Sequence, residues 1–302
     1  MASPPLSERH VEAPPLGLGK PMFFPLLFSI PNRPGCTQEE ALLPLISFSQ
    51  ESTLIPQHMA DEMVQARKTE QIKHQSLRDR DEELLKQEAE RIAQTVQQGQ
   101  SQLVPCFGTV LHPKNPYIIM GGHALGVRFS PDTNPDFIIC SIFNSGFGLE
   151  GHESAPLAEG KSESERKFDH EYVIRIPKDE LTPERVFLLL KYCKLSVDEV
   201  YELFDQIPKA ERIQFKDKQE QLGREPIYKT SQKTDNCSVM WIINGYFPSQ
   251  LSQSDFHKVK AEMFNLAFKE GLADPKTLVV IEKHSDLVQL RLERKMDKAA
   301  LH

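Results

Sequence analysis

An α+β fold, with a sheet over about residues 101–176 and helices before and after it, is what this sequence predicts from three changes of texture. Between Gln57 and Gln98 there is no glycine or proline, and Glu, Gln, Lys, Arg and Ala dominate, a helical composition. From Leu103 to Ile176 short apolar runs are cut by Gly, Pro and Asn, the pattern of antiparallel strands and turns. After Pro177 capping residues stand in front of apolar runs at helical spacing.

Residues 1–35 carry Pro4, Pro5, Pro14, Pro15, Pro21, Pro25, Pro31 and Pro34 and read as an extended, poorly ordered leader. Their apolar stretch, Met22 to Ile30, is interrupted by Pro25 and is too short to span a bilayer. It has no basic n-region and no A-x-A-like cleavage site, so a standard secretory signal is not expected. Thr37 and Glu40 have capping-box spacing before Ala41–Phe48, which predicts a short helix. In the long helical run Leu84, Leu85, Ala89, Ile92, Ala93 and Val96 form an apolar stripe, so this half should dock on the sheet. The half before it, through His74, is more polar and reads as a solvated surface helix; Gly99 stops the run.

The strands expected next are Leu103–Phe107, Tyr117–Met120, His123–Phe129, Phe137–Phe143 and Tyr172–Ile176, with a polar loop over Ser154–Lys167. Thr182-Pro183-Glu184 opens a helix through Cys193, and Ser196 with Glu199 caps another through Phe204. Phe256–Glu270 and Leu278–Lys298 close the chain as helices. The division expected is a leader (1–35), a helical N-terminal extension (36–80) and a main domain (81–302).

The chain has 302 residues, 39% hydrophobic and 26% charged, which suits a water-soluble globular protein. A net charge of −7 argues against a general nucleic-acid binder, which needs a basic face. The five cysteines are scattered and never form a CxxC pair, so they make neither a disulfide framework nor a zinc knuckle. That usage fits a reducing compartment and a cytoplasmic location. HExxH, GxxxxGK[ST] and GxSxG are all absent, Gly146-Phe147-Gly148 alone is a weak phosphate-loop signal, and no metal or cofactor is expected.

The candidate chemistry gathers on the hairpin around Pro131–Asp136. With the turn centred between Asp132 and Asn134, His123 faces Asn144, Leu125 faces Ile142, Val127 faces Cys140 and Phe129 faces Ile138. An imidazole acting as a base needs a fixed tautomer, and a neighbouring amide oxygen can accept its second N–H. The plain alternative is a strand-end histidine beside a turn-forming asparagine. Cys237 stands between a polar loop and an apolar segment, where Asp235 or Asn236 can cap a helix and the helix dipole would lower the thiol pKa. Gln232 could donate its side-chain N–H to a developing oxyanion. Cys106, Cys140 and Cys193 lie inside apolar runs and read as structural thiols. His152 is a second candidate base, and Asp136 and Asp169 are alternative orienting groups.

The segments Gly122-His123-Ala124, Phe143-Asn144-Ser145-Gly146-Phe147-Gly148 and Gln232…Asn236-Cys237-Ser238…Trp241 resemble the core of papain-like (clan CA type) cysteine peptidases. Their order is that of circularly permuted members, with His before Cys. They are also similar to segments of cysteine-protease effectors of intracellular bacterial pathogens. The resemblance covers about residues 85–270. It departs from papain in the Gln-to-Cys spacing and in placing Trp241 four residues after the cysteine. It implies a papain-like core and a thiol hydrolase of peptide, isopeptide or amide bonds, with Cys237 as nucleophile, His123 as base, Asn144 as its orienting group and Gln232 at the oxyanion. It also implies a protein or peptide substrate, such as a ubiquitin-like or host protein, and either a cytoplasmic site of action or export into a host cell without a standard signal peptide. A transglutaminase or acyltransferase would use the same residues, whereas a scaffold would keep the fold without the chemistry and use the long N-terminal helix as its surface. Because a proline-rich leader makes few buried contacts, deletion of residues 1–35 should leave a cooperative thermal melt, measured by circular dichroism beside the full chain.

Overall fold

The computed structural model describes residues 38–112, 115–157, 159–162, 166–191, 194–226, 228–230 and 240–269. The leader, the helix expected over 278–298 and the segment with Gln232 and Cys237 lie outside the described residues. Side-chain alternation along the strands builds the architecture. Helices α1 (Gln38–Glu51), α2 (Gln57–Asp79) and α3 (Glu82–Gln97) lead into strands β1 (Gln102–His112), β2 (Asn115–Pro131) and β3 (Phe137–Phe143). Strand β4 (Lys167–Phe168) precedes β5 (Glu171–Pro177), and after α4 (Pro183–Leu190) and α5 (Val197–Asp205) comes β6 (Glu211–Ile213). The principal sheet is antiparallel in the order β1-β2-β3-β5-β6. Helix α6 (Phe215–Gln221) then leads to β7 (Lys229–Thr230), which pairs with β4 in a second, two-stranded sheet. The π-helical segment Ile242–Tyr246 runs into α7 (Phe247–Gln250), followed by α8 (Gln253–Lys269). The α+β class expected from the sequence is thus the observed one.

Both faces of the sheet are covered. Val104, Cys106, Leu125, Val127, Phe129, Cys140, Ile142 and Ile174 pack with Ile92 of α3, Leu189 of α4 and Phe204 of α5. Leu103, Ala124 and Phe143 point the other way, to Leu45 of α1, Met63 of α2, Trp241 and Phe256 of α8. The long helical run is divided to serve both cores. Arg80 adopts a left-handed conformation (φ 54°) that ends α2. Asp81 then caps α3 by accepting from the Glu83 amide at 3.0 Å.

Helix α2 is not the solvated helix that its polar composition predicts. Met59, Ala60, Met63 and Ala66 are fully buried, and its buried polar residues Glu62, Thr69, Glu70, Lys73 and Ser76 all make hydrogen bonds. Glu62 accepts two hydrogen bonds from Arg128 of β2, each 2.8 Å, and a third of 2.8 Å from the Tyr246 hydroxyl. Lys73 is ion-paired with Glu70 and donates to the Pro105 carbonyl at 3.2 Å. Composition counts such residues as surface; pairing lets them be buried.

Tyr117–Met120 and His123–Phe129, expected as separate strands, are one strand, β2. Its pairing with β3 also differs from the expected register. Val127 lies opposite Ile142, Phe129 opposite Cys140 and Pro131 opposite Ile138, two residues away from the predicted partners. The turn is the reason. Asp132 Oδ1 accepts from the Asn134 amide and Asn134 Oδ1 from the Asp136 amide, each at 3.0 Å, so two Asx turns in series move its centre toward Pro135. A two-residue offset equals the strand period, so every side chain stays on its predicted face.

Ile92 lies at zero exposure among these apolar side chains, so the α3 stripe is core as predicted. Ile92→Asp should destabilise the protein by about 3 kcal/mol or more, against about 0.5 kcal/mol for a surface site. Chemical denaturation beside wild type measures it.

Candidate active site

Beyond the last β2–β3 pair, Gly126 with Phe143, β2 continues toward its hairpin bonded to β1, and the chain after β3 turns away. His123 and Asn144 occupy these two positions on the face that carries Leu125 and Ile142. They are diagonal neighbours rather than direct partners, and His123 Nε2 lies 2.8 Å from Asn144 Oδ1. Gly146 comes next in the turn. A Cβ there would lie 2.6 Å from Cε1 of His123, so only glycine lets the turn close over the ring. Gly148 has φ 86°, the left-handed conformation that completes the turn.

The Asn144 amide has four partners, and two of them fix its orientation. Its oxygen accepts the Gly146 backbone N–H at 2.9 Å, and its nitrogen donates to the Phe147 carbonyl at 2.5 Å. A backbone N–H only donates and a carbonyl only accepts, so the amide cannot be flipped. Oδ1 must therefore accept from His123, whose proton sits on Nε2, leaving Nδ1 with a lone pair. This is the tautomer a general base needs. His123 is 3% exposed, and the edge of the exposed Phe147 ring packs beside it with centroids 6.1 Å apart. Burial lowers the His123 pKa below the ordinary histidine value, while the bond to Asn144 pulls it up.

The proton order continues inward. The second hydrogen on Asn144 Nδ2 goes to the Tyr201 hydroxyl at 2.8 Å. Tyr201 Oη is 2.9 Å from Nε2 of His152, and Nδ1 of His152 is 2.6 Å from Asp169 Oδ1. Asp169 is completed by the Glu153 amide, which donates to Oδ2 at 3.2 Å. With the Asn144 amine occupying one Tyr201 lone pair, the hydroxyl proton points to His152 Nε2, and the His152 Nδ1 proton points to Asp169. Burial raises the Asp169 pKa against the lowering effect of His152, and burial also raises that of Tyr201.

The expected His123–Asn144 contact is therefore made. Both ring nitrogens of His152 are hydrogen-bonded, Nδ1 to Asp169 and Nε2 to Tyr201. Asp169 orients a histidine, but that histidine is His152. Gln232 and Cys237 lie outside the described residues. Cys106 and Cys140 are buried free thiols; burial pushes Cys106 up to about 12 and Cys140 well above the ordinary value, so neither is a ready nucleophile. Tyr201 was not foreseen. Its only sequence signal is its place on the buried face of the helix capped by Ser196 and Glu199. Among the described residues no group of three or more His, Cys, Asp and Glu could hold a metal ion, and no helix is long and apolar enough to cross a membrane.

Compared with protein-family models, with curated proteins and with solved structures, the chain gives no match.

The buried, neutral His123 makes stability depend on pH. Its folded pKa lies below its unfolded one, so its contribution is complete above about pH 6.5, the ordinary histidine value, and is lost as the pH falls below it. The raised Asp169 value acts in the opposite sense, contributing at low pH and fading as the pH rises. Melting at pH 7.5 and pH 5.5 should show a steeper fall for wild type than for His123→Gln, with Asp169 common to both. Parallel falls would mean that His123 does not carry this dependence.

Proposed function

We propose that the protein is a cysteine-dependent hydrolase of peptide, isopeptide or amide bonds, with Cys237 as nucleophile and His123 and Asn144 as its base and orienting group. The observation that carries this reading is the His123–Asn144 bond, in an amide orientation that leaves Nδ1 as the accepting nitrogen. Chain continuity adds to it. Segment 231–239 connects Thr230, in the β4–β7 pair beside Asp169, to the helix in which the Trp241 ring packs over Gly126, three residues from His123. Trp241 belongs to the opposite face of the sheet from the His123 ring. The papain-like resemblance is the second support.

In this mechanism the Cys237 thiol gives its proton to His123 Nδ1, and sulfur adds to the substrate carbonyl carbon. The resulting oxyanion takes a hydrogen bond from Gln232. As the carbonyl reforms, the C–N bond breaks and the leaving amine takes the proton from Nδ1. Water, losing its proton to Nδ1, then adds to the thioester; the C–S bond breaks, the sulfur takes that proton back from Nδ1, and the acid product leaves.

Brief iodoacetamide treatment at neutral pH followed by peptide mapping should modify Cys237 first and leave Cys106 and Cys140 untouched. His123→Ala should slow that labelling by about tenfold or more, and Asn144→Ala by less, because an orienting group only holds the base in place. An unreactive Cys237 in wild type would refute the hydrolase reading and favour a scaffold.

A further inference from the structure

The polar chain behind Asn144 is more than the base and its partner require. A tyrosine, a second histidine and a carboxylate are buried in line with them, at 9%, 6% and 2% exposure for Tyr201, His152 and Asp169. The bonds that orient the Asn144 side chain within its own turn reach only two and three residues along the chain, to Gly146 and Phe147. Phe147 is exposed, so those bonds move with the turn. Among the described residues, one further hydrogen bond ties the side chain to an element outside the turn and the hairpin, that from Nδ2 to Tyr201.

Tyr201 has the rigidity this role needs. Helix α5 begins at a complete capping box, Ser196 with Glu199. Its start is fastened to β1 by the Thr109 amide, which donates to the Leu195 carbonyl at 2.9 Å. The Tyr201 ring is wedged between Tyr172 and His152, with centroids 5.1 and 5.6 Å away. His152 and Asp169 then hold the direction of the hydroxyl. With His152 Nε2 as its acceptor, the Tyr201 proton is drawn away from Asn144 and a lone pair faces the amide. Tyr201 therefore receives the Asn144 hydrogen instead of competing with it.

We propose that Tyr201 is a positioning residue for His123: its hydroxyl, aimed by the His152–Asp169 pair, anchors the Asn144 amide to α5 and so holds the His123 ring in its Nε2-protonated form. The assignment deepens the hydrolase reading and rests on His123 being its base, but its first consequence is measurable without catalysis. Removing the hydroxyl leaves one Asn144 hydrogen without a partner and frees the turn to move, so the Nε2 proton of His123 becomes less protected.

The test is ¹⁵N-histidine NMR on the full chain at pH 7.5. Wild type should show His123 protonated at Nε2 and His152 at Nδ1. Tyr201→Phe should keep a cooperative melt yet speed exchange of the His123 Nε2 proton by about tenfold or more, the mark of local loosening. Cys237 alkylation should slow in the same variant. Tyr172→Phe is the control. It removes a neighbouring hydroxyl that donates to Asp205 at 2.8 Å, and it should change neither signal. Should Tyr201→Phe fail to fold, Asp169→Asn weakens the far end of the chain and is read by the same exchange rate. Unchanged exchange in the folded variant, or equal acceleration by Tyr172→Phe, overturns the proposal. Faster exchange in a protein whose wild-type Cys237 does not react upholds the positioning role and refutes the hydrolase reading.

Discussion

Burial of strand β2 on both faces is the constraint on which the other features rest. Through its inner half, successive side chains enter different cores: Leu125, Val127 and Phe129 face α3, α4 and α5, while Ala124 faces α1, α2 and Trp241. Arg128 shares the second face and closes a bidentate pair with Glu62. A slip of one residue against β3 would reverse these assignments, force Arg128 into the apolar core and leave the Glu62 carboxylate buried without its partner. The apolar alternation and the ion pair therefore hold the same register. His123 inherits its face from that register, since it continues the odd-numbered series toward the hairpin.

Where the apolar part of that face ends, the protein places polar groups but still excludes water. Each buried donor and acceptor must then find a partner within the fold. The Asn144 amide meets that demand with the Gly146 amide, the Phe147 carbonyl, His123 and Tyr201, and the fixed direction of the two backbone groups propagates through the chain. The protonation pattern at His123 thus follows from backbone geometry two and three residues beyond Asn144. His152 and Asp169 complete the chain on its inner side, so that His152 bonds to Tyr201 and Asp169 while His123 bonds to Asn144.

The same demand explains α2. Its Glu, Lys and Arg content resembles that of a solvated helix, yet Glu62, Glu70 and Lys73 are buried because Arg128, Tyr246 and the Pro105 carbonyl meet them. Those partners lie far along the chain, and a helical window cannot contain them. The stripe on α3 was legible because Leu85, Ile92 and Val96 carry their own reason for burial. Thr182, Ser196 and Glu199 were legible because a helix cap is completed within four residues of chain.

The sequence by itself determined the α+β class, strands β1, β3 and β5, the capped helices, the face on which His123 and Asn144 lie, and the structural character of Cys106 and Cys140. These are properties of local spacing, and the strand period of two preserves a face even when the turn shifts the pairing by two residues. Tertiary structure alone decided the diagonal contact of His123 with Asn144, the division of one helical run between two cores, and the burial of polar groups on α2. It also decided that His152 serves Tyr201 and Asp169. Those outcomes depend on hydrogen bonds between residues distant in the chain, such as Tyr201 with Asn144 and Arg128 with Glu62, whose partners become neighbours only when the sheet and its two helical layers are assembled.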